Sequence, residues 1–141
     1  MRIMLDTNII VSGLAFAGNE RELLNVIYNH NATLVLSEYV VLETKAVLTR
    51  KFPGKERLLD HIINLVQVEI AAMPLKEKVN EAELIIRDQK NAVVLAAAIE
   101  VKPDIFVSGE LDFHTSKITS TINVMHPKEA IALINYHNSH N

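Results

Sequence analysis

Four short runs of β-branched and aliphatic residues, at 2–5, 33–36, 105–107 and 122–125, alternate with longer stretches whose apolar residues recur at helical spacing. Successive strands separated by helices need crossover connections, because a tight hairpin cannot join parallel neighbours. The pattern therefore predicts an α/β three-layer sandwich with a mostly parallel central sheet. The flanking helices are expected over 21–30, 37–51, 56–67, 77–87, 92–101 and 128–136. Pro53-Gly54 divides the middle helical stretch, and Pro103 and Pro127 mark a helix end and a helix start. With 141 residues and no repeat, linker or low-complexity tract, the chain reads as one domain over 1–136 and a polar tail at 137–141.

Composition narrows the chemistry. Aromatics are 5% and Trp is absent, so the core must be built from Leu, Ile, Val and Ala. The absence of cysteine excludes disulfide scaffolds, thiolate nucleophiles and Cys-ligated metals, and suits a reducing compartment; the cytoplasm is the expected location. The best membrane candidate, 92–99, is too short to span a bilayer and runs into Glu100. Arg2 followed by apolar 9–18 imitates a secretory signal, but Asp6 and Asn8 interrupt it. A net charge of -3 argues against holding nucleic acid by bulk positive charge, so phosphate must be met locally or through a metal. The local candidate is 45–57, where Lys45, Arg50, Lys51, Lys55 and Arg57 face a single acid, Glu56. The plainer role of those cations is to complement the C-terminal end of a helix.

The acids are the informative residues. Asp6 and Glu110 each follow an apolar run, at the carboxyl end of an expected strand, where ligands bind in open parallel sheets. Asp112 lies in the same loop as Glu110. Capping a helix or turn is the competing role for these acids. Glu43 is different. Its helical neighbours at three and four residues' distance are Tyr39, Val40, Ala46 and Val47, so it sits on an apolar stripe and needs a partner; a salt bridge to Lys45 or Arg50 is the plainer role, though neither shares that face closely. Asp88 and Asn91 stand at the head of an apolar helix, where Asp88 suits a cap and Asn91 suits a pocket wall. Carboxylates gathered in one cleft repel, a pair at ~4 Å by ~4 kcal/mol at an effective dielectric near 20, so a cation is required. An all-oxygen donor set selects Mg²⁺ or Mn²⁺, and such an ion favours phosphodiester hydrolysis. The six histidines show no metal-motif spacing.

Taken in order, Asp6-Thr7-Asn8-Ile9, Glu43, Asn91-x-x-Val94-Leu95-Ala96 and Val107-Ser108-Gly109-Glu110-x-Asp112 resemble the motifs of the PIN domain family. That family includes the toxins of VapBC-type toxin and antitoxin pairs. The resemblance implies a Mg²⁺- or Mn²⁺-dependent endoribonuclease acting on RNA. It implies Asp6, Glu43, Glu110 and Asp112 as metal-binding acids, an antitoxin partner and a homodimer. Two departures stand out. Asn91 replaces the family's usual aspartate and cannot serve as a base, and Glu110 replaces aspartate with a longer acid. A PIN domain that has lost most catalysis and binds RNA or protein is therefore the alternative expectation. A phospho-accepting receiver-like domain fits poorly, because 33–36 leads into Ser37-Glu38 with no aspartate.

Overall fold

The computed structural model describes residues 1–140. Its strands are β1 (Arg2–Leu5), β2 (Thr33–Ser37), β3 (Gln67–Ala71), β4 (Ile105–Val107) and β5 (Val124–Met125). They form one parallel sheet in the order β3-β2-β1-β4-β5. The expected three-layer α/β architecture is the one observed. β1, β2 and β4 are the central strands and are almost entirely buried, as parallel strands covered on both faces must be.

The helices are α1 (Thr7–Ala15), α2 (Asn19–Asn29), α3 (Glu38–Lys51), α4 (Glu56–Leu65), α5 (Lys76–Ala82), α6 (Gln89–Val101), α7 (Ser116–Thr119) and α8 (Pro127–Ser139). A 3₁₀ turn spans Leu111–Phe113. α6 supplies the middle of the core with Ala92, Leu95, Ala96, Ala97 and Ala98, all buried. α1 packs close on α2 because residue 13 is glycine. A Cβ added there would lie 2.7 Å from Leu24 Cδ1 and 3.1 Å from Glu20 O.

Several boundaries differ from expectation. The helix expected over 56–67 ends at Leu65, and Gln67–Ala71 is an edge strand of mixed exposure, buried only at Ala71. Its Glu69 reaches over β2 to pair with Arg2, at 3.0 Å from Nε and 2.5 Å from Nη2. The helix expected over 77–87 stops at Ala82. The one expected over 92–101 begins three residues earlier, which puts Asn91 in its first turn. Of 122–125, only Val124–Met125 is strand. The signal-like apolar stretch is largely helix α1. α8 runs to Ser139, so the start of the expected tail is helical, and Asn141 lies outside the described residues. Among the described residues, no helix is long and apolar enough to cross a membrane.

Candidate functional site

β1 and β4 are neighbours in register, Leu5 beside Val107, so the residues that leave their carboxyl ends are neighbours too. The sheet order reverses here: β2 and β3 extend from one side of β1, β4 and β5 from the other. This is the switch point at which open parallel sheets bind ligands. A hollow of about 230 Å³ opens there, lined by Asp6, Thr7, Asn8, Glu43, Asp88, Lys90, Asn91 and Glu110, with Val47 and Val94 as apolar wall.

Asp6 is both a cap and a lining residue. Its Oδ1 accepts from Ile9 N at 3.2 Å, closing the first turn of α1, while Oδ2 accepts a hydrogen bond from the Ser108 hydroxyl. It is 5% exposed. Burial pushes its carboxyl up to about 6; the two hydrogen bonds pull it back, and the charges of Glu110 and Glu43 push it further up.

Glu43 faces the hollow from α3, with its side chain 22% exposed. Thr7 Oγ1 donates to its Oε1 at 2.5 Å and the Tyr39 hydroxyl to its Oε2 at 3.1 Å. Its ionic partner is the Lys90 ammonium at 3.8 Å from Oε2. Burial first, and then the negative Glu43, push the Tyr39 phenol up to about 12, so it remains a donor throughout the working pH range. Lys45, on the same helix, pairs instead with Asp60 at 3.6 Å.

Glu110 accepts from Asn8 Nδ2 at 3.0 Å and from Asn91 Nδ2 at 2.7 Å. Its own N–H donates to Ser108 Oγ at 3.0 Å. The loop is braced from behind by His114, whose Nε2 lies 2.7 Å from Ser108 O; a carbonyl only accepts, so that nitrogen carries the proton. The His114 ring stacks on His126 at 3.9 Å, and His126 caps α8. Asp88 caps α6, accepting from Lys90 N at 2.8 Å and Asn91 N at 3.1 Å, and also lines the hollow.

The structure thus brings Asp6, Glu43, Asn91 and Glu110 together. Asp112 does not line the hollow. The 3₁₀ turn buries Phe113 edge-on against Phe106, with centroids 4.9 Å apart, and leaves Asp112 exposed and outside the hollow's lining. Thr7, Asn8, Tyr39, Lys90 and Ser108 have no role that the sequence alone assigns. Their signal was proximity to the acids, but their work depends on contacts between elements.

The donor chemistry fits a hard cation: carboxylate and amide oxygens, with neither thiolate nor imidazole among the lining residues. The Asp6 carboxyl is raised chiefly by burial, and the charges of Glu110 and Glu43 add to the rise. The present rotamers are turned toward hydroxyl and amide donors. Among the described residues, no three His, Cys, Asp or Glu side chains are gathered as a ready ligand set.

A model of the PIN domain family matches residues 2–112. Comparison with curated proteins found no match. Among solved structures, VapBC2 from Rickettsia felis, bound to a DNA fragment from its promoter, is similar with a TM-score of 0.68. It is 18% identical over 89% of this chain and 98% of that one. FitAcB from Neisseria gonorrhoeae gives 0.62, at 17% identity over 89% of this chain and 98% of that one. VapC20 from Mycobacterium tuberculosis, a sarcin-ricin loop cleaving toxin, gives 0.57 at 15% identity, over 79% and 92%. At such identities these likenesses speak for the fold.

Proposed function

The chain belongs to the PIN domain family, and from that premise we propose that it is a Mg²⁺- or Mn²⁺-dependent endoribonuclease that hydrolyses RNA phosphodiester bonds. The observation that carries this reading is the meeting of Asp6, Glu43 and Glu110, from three separate elements, in one oxygen-lined hollow at the sheet's switch point. Those three acids would hold the ion. When bound, such an ion lowers the pKa of its water and offsets charge on the phosphodiester.

The remaining roles belong to the chain's own side chains. Ser108 and the Ile9 N–H fix Asp6, and Thr7 and Tyr39 fix Glu43, so the acids are oriented before substrate arrives. Lys90, largely exposed at the edge of the hollow, supplies an ammonium for a phosphate oxygen. Asn91 is uncharged and abstracts no proton. Asp112 adds negative charge near the hollow rather than a ligand.

The VapBC2 and VapC20 likenesses support RNA as substrate and a separately encoded antitoxin as partner, in the reducing compartment that a cysteine-free chain suits. A homodimer belongs to the same reading. A second reading, a PIN domain retained for binding, is favoured by one observation: Glu110 and Glu43 already have amide, hydroxyl and ammonium partners without any ion. Cleavage of labelled RNA and DNA panels by the purified protein, with and without Mn²⁺, separates the two. Mn²⁺-dependent RNA cleavage that disappears in Asp6→Ala supports the nuclease. Retained RNA binding without cleavage supports the module. Cleavage that survives in Asp6→Ala refutes the site.

A further inference from the structure

Glu110 is gripped by two amides that arrive from different helices, Asn8 from the first turn of α1 and Asn91 from the first turn of α6. Each takes one carboxylate oxygen, Oε1 at 3.0 Å and Oε2 at 2.7 Å. A carboxylate only accepts, so it is the amide nitrogens that must face it. Asn91 is itself held from below, where its backbone N–H donates to the Asp88 cap at 3.1 Å. The loop before Glu110 is held by Ser108, whose oxygen accepts from Glu110 N and whose hydroxyl donates to Asp6. One connected set of hydrogen bonds therefore runs from the head of α6 through Glu110 to Asp6.

An aspartate at position 91 would place a second acceptor where a donor now stands, and the two carboxylates would repel unless a cation bridged them. The amide removes that need. It also lowers the negative charge of the hollow, which already contains Asp6, Glu43, Asp88 and Glu110 against one ammonium, Lys90. Resting on the reading of the hollow as a divalent-ion site, we propose that Asn91 is a positioning residue. Its amide, together with that of Asn8, fixes the Glu110 carboxylate in the hollow and acts on the ion only through Glu110.

The test is a double-mutant cycle on Mn²⁺ affinity, measured by titration calorimetry on the full chain: unaltered protein, Asn91→Ala, Glu110→Ala and the pair. Asn91→Ala should weaken Mn²⁺ binding about tenfold, as expected for losing a hydrogen bond to a charged group. In the Glu110→Ala background the same change should have almost no effect. Equal weakening in both backgrounds overturns the positioning role and leaves the metal site standing. Unaltered protein that takes up no Mn²⁺ overturns the metal reading, and this inference with it. A second measurement decides the matter should Glu110→Ala abolish binding. Asn91→Asp should melt below the unaltered protein without Mn²⁺ and gain more from Mn²⁺ than it does. Matching melting curves with and without the ion would overturn the proposal.

Discussion

The Asp6 carboxyl is almost fully buried, lies beside two further acids, and has its pKa raised to about 6 from an ordinary 3.8, with burial as the largest cause. A folded-state value above the unfolded one means that the native state holds the proton more tightly. The stabilisation is thus complete below the unfolded value and lost as the pH climbs from about 4 through 6. A shift of about two units corresponds to ~3 kcal/mol at most. Asp6→Asn should therefore make the metal-free protein more stable than the unaltered chain at pH 7.5, by up to that amount, and no more stable at pH 4. Urea denaturation at the two pH values checks this, and parallel pH profiles would contradict it. Mn²⁺ binding should strengthen as the pH rises through 6, because the ion must displace that proton. Asp112→Asn is the complementary test. An exposed acid outside the hollow should leave Mn²⁺ affinity within about twofold, where Asp6→Ala abolishes it. Glu43 is legible in the sequence because an acid on an apolar stripe breaks a local rule, and Asp6, Asn91 and Glu110 through their places at strand ends and a helix head within the ordered motifs. The hydroxyls of Thr7 and Ser108 break no rule, and their partners are known only once β1, α3 and β4 have met.

The three central strands are legible as apolar runs, and of the two edge strands only β5 is, within the run at 122–125. β1, β2 and β4 read as strands from apolar runs alone, and α3 from its periodicity; the structure makes Ser37 its cap, with the hydroxyl accepting from Val40 N at 3.0 Å. β3 was hidden because Gln67, Glu69 and the exposed Ile70 give an edge strand the mixed polarity of a helix end. α1 was disguised in the opposite way, as a mostly buried helix packed against α2 and α3, where amphipathic spacing is weak. α6 ended near where Pro103 required, but its last step is unusual. Lys102 closes it in the left-handed region at φ 50°, with its N–H bonded to Ala98 O at 3.0 Å. A side chain with a Cβ is disfavoured there, and glycine is the usual occupant. Lys102→Gly should raise stability by about 0.5–1 kcal/mol, read as a higher melting temperature with Mn²⁺ affinity unchanged. A lower melting temperature would show that the lysine side chain contributes more than its backbone conformation costs.

At the scale of the whole molecule, the hollow has no existence apart from the sheet. The hydrogen bonds that shape it, Ser108 to Asp6 and Asn8 to Glu110, join residues 102 apart in the chain, which the β1–β4 pairing brings side by side. A short segment cannot form such a site in an unfolded chain, since the loop-closure entropy must be met by the packing of α6 and the central strands. An ion held by Asp6, Glu43 and Glu110 would accordingly bind the native state and scarcely the unfolded one. Its effect on stability then follows mass action, about 2.7 kcal/mol at a hundredfold excess over Kd. The urea midpoint should rise with the logarithm of Mn²⁺ concentration while the slope of the transition stays constant, because the surface exposed on unfolding is unchanged. Asp6→Ala should unfold cooperatively at a midpoint indifferent to Mn²⁺. A midpoint that is equally indifferent in the unaltered protein would mean that the three acids, though gathered by the fold, hold no ion. A changed slope would mean that the ion remodels the native sheet rather than completing a hollow already in place.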